Sequence, residues 1–185
     1  MKIEDLNLLG NWSLFLDRDG VLNKHRVDDY VKNWSEWEWN EGVLEALSIL
    51  SDTFSRIIVV TNQQGIGKGL MSSEDVEDIH KNMIREATAV GGRIDKVYFA
   101  PELKTNPENR RKPKPDMAYE AYQDFPEIDF RKSLIVGDSD SDIRFGQGLG
   151  MGTVRISSAY QPMNVAGDIM ADSLLEFAHQ LTMQA

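Results

Sequence analysis

Two carboxylates stand two residues apart in Asp17-Arg18-Asp19-Gly20, directly after the apolar run Ser13-Leu-Phe-Leu. Such a pair forms a hard oxygen site suited to Mg²⁺, and a carboxylate can also attack phosphorus. A negative nucleophile facing a negative phosphate needs a metal and nearby cations to neutralise both. Gly20 lets the chain turn sharply beside a ligand. On its own the motif reads equally well as a solvated turn after a strand. Other residues suit the same chemistry. Thr61 and Asn62 offer a hydroxyl and an amide to phosphoryl oxygens. Arg110-Arg111-Lys112-Pro113-Lys114-Pro115 concentrates cations in a chain dominated by acids, and its prolines suppress helix. Gly137-Asp138-Ser139-Asp140-Ser141-Asp142 sets acids at alternate positions, which is costly unless a cation is near. An EF-hand loop competes for this stretch, but Ile143-Arg-Phe-Gly does not continue its pattern. Gly65-Ile-Gly-Lys-Gly looks like a nucleotide loop, fails the P-loop spacing, and reads as a flexible turn beside the site.

The elements that must position these residues follow an alternating rhythm. Strands are predicted at Ser13-Leu-Phe-Leu, Ile57-Ile-Val-Val, Lys96-Val-Tyr-Phe, Ser133-Leu-Ile-Val and Gly152-Thr-Val-Arg-Ile. Between them, Val43, Leu44, Leu47 and Leu50 share a helical face with Asn40 as candidate cap. Val76, Ile79, Met83 and Ala87 do the same, capped by Ser72 or Ser73 with Glu74 and Asp75 in the first turn. Further helices are expected over 116–123 and 143–149, and Ser173 opens a last one. The pattern predicts an α/β fold with three layers, α/β/α, around a central parallel sheet. Ligands then bind beyond the carboxyl ends of the strands. Each chemically suggestive group follows an apolar run, as that rule requires. Two stretches, 25–39 and 100–114, read as irregular. Trp37 and Trp39 are expected to pack one face of a short strand, alternating with Glu36 and Glu38. Trp34 is left as a possible ligand contact.

Composition narrows the function. The 185 residues suit a single domain spanning 1–185, and 41% hydrophobic content supplies an ordinary core. No apolar run is long enough to span a membrane. The first residues, Met1 to Asn7, show no secretory pattern, so a cytoplasmic location is expected. Cysteine is absent, which excludes disulfides, thiolate metal sites and cysteine nucleophiles. A net charge of −10 disfavours a nucleic-acid partner. A small phosphorylated metabolite is the expected partner. Oligomeric state is not readable.

Taken together, Leu-Phe-Leu-Asp17-Arg-Asp19-Gly, Val-Val-Thr61-Asn62, Arg111-Lys112-Pro-Lys-Pro and Val-Gly-Asp138-x-x-x-Asp142 resemble the four motifs of the haloacid dehalogenase superfamily of phosphatases. The resemblance covers roughly residues 12 to 156. Thr61-Asn-Gln-Gln-Gly-Ile-Gly-Lys-Gly and Arg-Lys-Pro-Lys-Pro are similar to its heptose-bisphosphate and histidinol-phosphate phosphatases. It implies a Rossmann-like core and a Mg²⁺-dependent phosphomonoesterase with Asp17 as nucleophile and Asp19 as general acid/base. Thr61 and Lys112 would hold the phosphoryl group. Asp17, the main-chain carbonyl of Asp19, and Asp138 would bind Mg²⁺. Asn62 and Arg111 would help recognise substrate. Three departures stand out. Residues 100–110 lack the Cys/His zinc loop of many members, so no zinc is expected. Ser139 stands where a lysine is common, and Asp116 where glycine is common. With only about 40 residues between Asp17 and the second strand, no cap domain fits, so the site is expected to be capless and open. Its rim would comprise Arg111, Lys114, Lys68 and Trp34, with Asp28, Asp29 and Tyr30 on the covering segment. A sugar bisphosphate is the leading substrate, histidinol phosphate the alternative, and a catalytically inactive binding protein the rival from another class.

Overall fold

The computed structural model describes residues 11–183; the reading of residues 1–7 lies outside them. Six strands form one sheet: β1 (Ser13–Leu16), β2 (Arg56–Asn62), β3 (Lys96–Ala100), β4 (Ser133–Gly137), β5 (Gly152–Ile156) and β6 (Ile169–Ala171). Their order is β3-β2-β1-β4-β5-β6 and every pairing is parallel. The order reverses at β1, which puts the crevice for a ligand beyond Leu16 and Gly137. β1, β4 and β5 are buried along their whole length, as strands covered on both faces must be. β6 was not foreseen. Its three residues are too few to show a period, and the middle one, Met170, is exposed.

Two apolar clusters flank the sheet. One gathers Leu14, Leu16, Ile57, Val59 and Val136 with α1 (Val43–Thr53), α3 (Ser73–Ala89) and α6 (Leu174–Thr182). The other sets Phe15, Ile58, Val60 and Ile135 against α4 (Asp116–Asp124) and α5 (Asp140–Leu149). Side chains along a strand alternate between faces, so consecutive residues of β1 serve different layers. These are the three layers expected. Ser72 caps α3 and exchanges hydrogen bonds with Asp75 in a capping box. α1 departs from expectation. Its N-cap is Gly42 at φ +73°, while Asn40 spends its amide on the carbonyls of Val21 and Asn23. Leu44 is only partly buried, and Ala46 takes its place in the core.

No inserted domain separates β1 from β2; the connection is an irregular segment followed by α1. Within that segment Trp34–Glu36 form a 3-10 turn, and Trp39 makes a single bridge to Asn23, so the expected short strand is absent. The tryptophans hold it instead. Trp34 stacks on Trp37 with centroids 5.3 Å apart, Trp37 meets Trp39 edge-on at 5.0 Å, and Trp39 donates Nε1–H to Glu86 on α3 at 2.8 Å. The glycine-rich stretch after β2 is a short helix, α2 (Gln64–Gly67), rather than a loose turn.

Candidate active site

Asp17 is the first residue past β1, where its N–H donates to the Val136 carbonyl of β4 at 2.9 Å. Its Oδ1 accepts the Arg18 N–H at 2.7 Å and lies 2.8 Å from Lys112 Nζ. The same ammonium donates to the Val60 carbonyl at 2.7 Å and pairs with Asp142 Oδ1 at 2.6 Å. Asp142 in turn accepts from Ser139 N (3.0 Å) and Ser139 Oγ (2.6 Å), which closes the first turn of α5. Lys112 and Asp142 are fully buried. Burial alone would depress the ammonium, yet Asp142 and Asp17 outweigh it and hold its pKa above the usual lysine value.

A third carboxylate completes a cluster. Oxygens of Asp17, Asp138 and Asp142 all lie within 4.8 Å of one another. Burial, then the charge of Asp142, pushes Asp138 up to about 7. Burial and Asp142 likewise push Asp17 well above the usual carboxylate range, against the pull of Lys112. Asp138 Oδ2 is buried without a hydrogen-bond donor. Acids crowded this closely, with one orphaned oxygen, fit a divalent cation with oxygen ligands. Gly20, at φ +87°, lies against the same group, and a β-carbon there would overlap the Asp138 carboxylate. Asp140, grouped with these acids in the sequence reading, points elsewhere. As the first residue of α5 it is rotated away, and it pairs with Arg155 Nη1 at 3.0 Å and accepts from Asn164.

Asp19 sits in a clamp that the sequence reading missed. Arg18 Nη2 donates to both its oxygens at 2.9 and 3.1 Å, Asn23 Nδ2 at 2.9 Å and Gln63 Nε2 at 2.8 Å. Burial works to raise its pKa, but Arg18, Asn23 and Gln63 together lower it, so the carboxylate is ionised. Arg18 is itself fully buried, faces the Trp37 ring at 5.8 Å, and contacts His80 Nε2 at 3.2 Å. Burial and the Arg18 charge drop His80 to about 3, so that imidazole is neutral. Thr61 Oγ1 accepts from the same Gln63 amide at 2.8 Å. Asn62 grips the backbone of Lys112 at both ends of its side-chain amide, accepting from N at 2.9 Å and donating to O at 3.3 Å.

The family model described as polynucleotide kinase 3 phosphatase matches residues 14–184. A D-glycero-alpha-D-manno-heptose-1,7-bisphosphate 7-phosphatase of Mycobacterium bovis is 38% identical over 170 residues, covering 90% of each chain. A D-glycero-beta-D-manno-heptose-1,7-bisphosphate 7-phosphatase of Vibrio cholerae is 32% identical over 181 residues, covering 91% of this chain and 95% of its own. Among solved structures, the D,D-heptose 1,7-bisphosphate phosphatase from B. bronchiseptica, complexed with magnesium and phosphate, superposes with a TM-score of 0.82. It is 27% identical, over 94% of this chain and 99% of its own. The chain belongs to the phosphatases of the haloacid dehalogenase superfamily, in the heptose-bisphosphate subgroup.

The pocket of this phosphatase measures about 670 Å³ and opens beyond the strand ends. Asp17, Asp19, Thr61, Asn62, Arg111, Lys112 and Asp138 all line it, as do Asp28 and Tyr30 from the covering segment. Lys68 and Asp29 line it too. Lys68 Nζ lies 5.3 Å from the Tyr30 ring centroid, and Tyr30 Oη accepts from Gln64 at 3.1 Å. Asp29 is engaged by Lys32 at 2.7 Å, which with the Tyr30 N–H lowers its pKa to about 2. Two expected rim residues are not there. Trp34 packs against the core, and Lys114 is turned to the carbonyls of Pro107 and Asn109. His25, Arg26 and Gln161 line the pocket unforeseen. No periodicity marks Gln161, which arrives from the loop after β5.

Proposed function

We propose that this phosphatase removes the 7-phosphate from a D-glycero-D-manno-heptose 1,7-bisphosphate through an aspartyl-phosphate at Asp17. The observation that carries the reading is the Asp17–Lys112–Asp142 chain at the switch point of the sheet, in a protein that matches heptose-bisphosphate 7-phosphatases over nine-tenths of its length. Oδ1 of Asp17 is occupied by Lys112 and the Arg18 N–H, which leaves Oδ2 to attack phosphorus. Lys112 and Thr61 hold the phosphoryl oxygens, and Asp142 positions Lys112. Asp19 takes up a proton as substrate binds, passes it to the departing sugar oxygen and recovers one from the attacking water; its clamped, ionised state is the one ready for the water step. A magnesium ion held by Asp17, Asp138 and the Asp19 main-chain carbonyl would neutralise charge on the phosphoryl oxygens.

Arg111 and Lys68 supply charge for the second phosphate, while Asp28 and Tyr30 suit sugar hydroxyls. No zinc enters this scheme. The loop before Lys112 is tied by Arg110, which pairs with Glu102 at 2.9 Å and Glu120 at 2.5 Å. Measured side by side, kcat/KM should favour heptose 1,7-bisphosphate over histidinol phosphate by at least about tenfold, or roughly 1.4 kcal/mol. The opposite preference would assign Asp28 and Asp29 to an ammonium group and overturn the choice.

A further inference from the structure

A second cavity, of about 520 Å³, adjoins the catalytic pocket and shares Asn62, Arg111, Lys112 and Ser141 with it. Lys104, Lys114 and Arg144 complete its cationic lining. Of the lysines and arginines among the described residues, more than half lie within ion-pair distance of a carboxylate, and half of the others are gathered in this one cavity. Arg18, Arg26, Lys32, Arg56, Arg110 and Arg155 are all within ion-pair distance of a carboxylate. Lys104, Arg111, Lys114 and Arg144 are not, among the described residues. Lys114 meets only backbone carbonyls, and the nearest acceptor of Arg111 is the Glu102 carbonyl at 3.5 Å. The remaining cations without such a partner are Lys68, in the catalytic pocket, and Lys81, Arg85 and Lys132, exposed elsewhere.

The cavity contains one acid, and it is already satisfied. Asp140 accepts from Arg155 Nη1, from Asn164 N and Nδ2, and from Val165 N. Its charge is therefore neutralised from the far side. Cations that repel one another across a shared space, without acids to balance them, are matched by an anionic ligand. Asn62 and Lys112, joined by their backbone clamp, line both cavities while Asp17 lines only the first, so an anion in the second would sit beside the phosphoryl site.

We propose that this second cavity is a phosphate-binding subsite, built by Lys104, Lys114 and Arg144 together with Arg111. Two sources could supply its phosphate: the distal phosphate of the substrate, or free inorganic phosphate. The inference deepens the functional reading above and rests on it only for the first source.

The test uses the double variant Lys104→Ala/Arg144→Ala in the full chain. Both residues are exposed and outside the catalytic machinery, so kcat and KM for p-nitrophenyl phosphate should stay within about twofold of wild type. If the substrate's distal phosphate occupies the subsite, KM for heptose 1,7-bisphosphate rises about fivefold or more, while that for heptose 7-phosphate is unchanged. If free phosphate occupies it, calorimetric titration with inorganic phosphate and Mg²⁺ finds two sites on wild type and one on the variant. An unchanged KM for the bisphosphate together with the same single phosphate site on both proteins would overturn the subsite. A wild type that hydrolyses p-nitrophenyl phosphate but not the bisphosphate would instead overturn the substrate assignment, and the phosphate titration would still decide the subsite.

Discussion

At the residue scale, the proposed reaction rests on one lysine shared between two carboxylates. Asp17→Asn keeps the shape but removes the attacking charge and a metal ligand. Turnover of p-nitrophenyl phosphate should fall by at least about 10³-fold, and retention of a tenth of wild-type activity would rule out an aspartyl-phosphate here. Asp142→Ala acts differently. It leaves the buried Lys112 ammonium with Asp17 alone and removes the acceptor of the first turn of α5, partly offset by relief of the repulsion on Asp17 and Asp138, so stability should fall by about 1–3 kcal/mol, which urea denaturation would read. Asp17, Asp19, Thr61 and Asp138 could be picked out in the sequence because each ends or follows a buried apolar run, and Lys112 because its basic run stands out in an acidic chain. Arg18, Asn23, Gln63 and His80 could not. Arg18, Asn23 and Gln63 hold Asp19, and His80 backs Arg18; Gln63 and His80 come from 44 and 62 positions away, and the two near neighbours carry no signal of their side-chain direction. Asp140 was read with its neighbours because the acids stand together at alternate positions, but α5 has already begun there and turns it away.

At the scale of elements, near-continuous burial made β1, β2, β4 and β5 readable, since parallel strands covered on both sides carry few polar residues, while the half-exposed edge strand β3 was found from its short apolar run alone. The short β6 and the 25–39 segment lacked such a signal. In the latter, three tryptophans imitate a strand's alternation while stacking on one another. The start of α1 was misjudged for a related reason. Asn40 is a good cap in isolation, but its amide is claimed by the turn after Asp19, and the helix starts from Gly42 with its left-handed φ. That glycine lies against Leu175 of α6, so Gly42→Ala combines backbone strain with overlap. It should destabilise the protein by about 1–3 kcal/mol in chemical denaturation and leave KM unchanged, because neither helix lines the pocket.

For the molecule as a whole, charge sets two expectations. Asp138, raised to about 7 from an ordinary value of 3.8, binds a proton on folding between about pH 4 and 7. A folded state that holds more protons than the unfolded one loses stability as pH rises, so without metal that loss is complete above about pH 7. Magnesium needs the deprotonated cluster. The Tm gain from Mg²⁺ should therefore be larger at pH 8 than at pH 5.5, by on the order of 5 °C; equal gains would contradict the assignment of Asp138. The second expectation concerns nucleic acid. The matching family model carries a polynucleotide name, yet a surface of net charge −10 repels a phosphate backbone. A 3′-phosphorylated oligonucleotide should be cleaved with kcat/KM at least about 10²-fold below that of the heptose bisphosphate, a gap of roughly 2.7 kcal/mol.

Lys112 arrives at the reaction with every N–H already committed, to Asp17, Asp142 and the Val60 carbonyl. An incoming phosphate gains its ammonium only by exchange, so resting affinity for substrate or released phosphate stays modest. Under the proposed mechanism, that carboxylate gives up its charge as the bond from Asp17 to phosphorus forms, and loosens its hold. The lysine then turns to the phosphoryl oxygens at the moment their charge must be stabilised, and turns back when the aspartate is restored. A contact that strengthens only at the top of the barrier accelerates turnover without trapping the product.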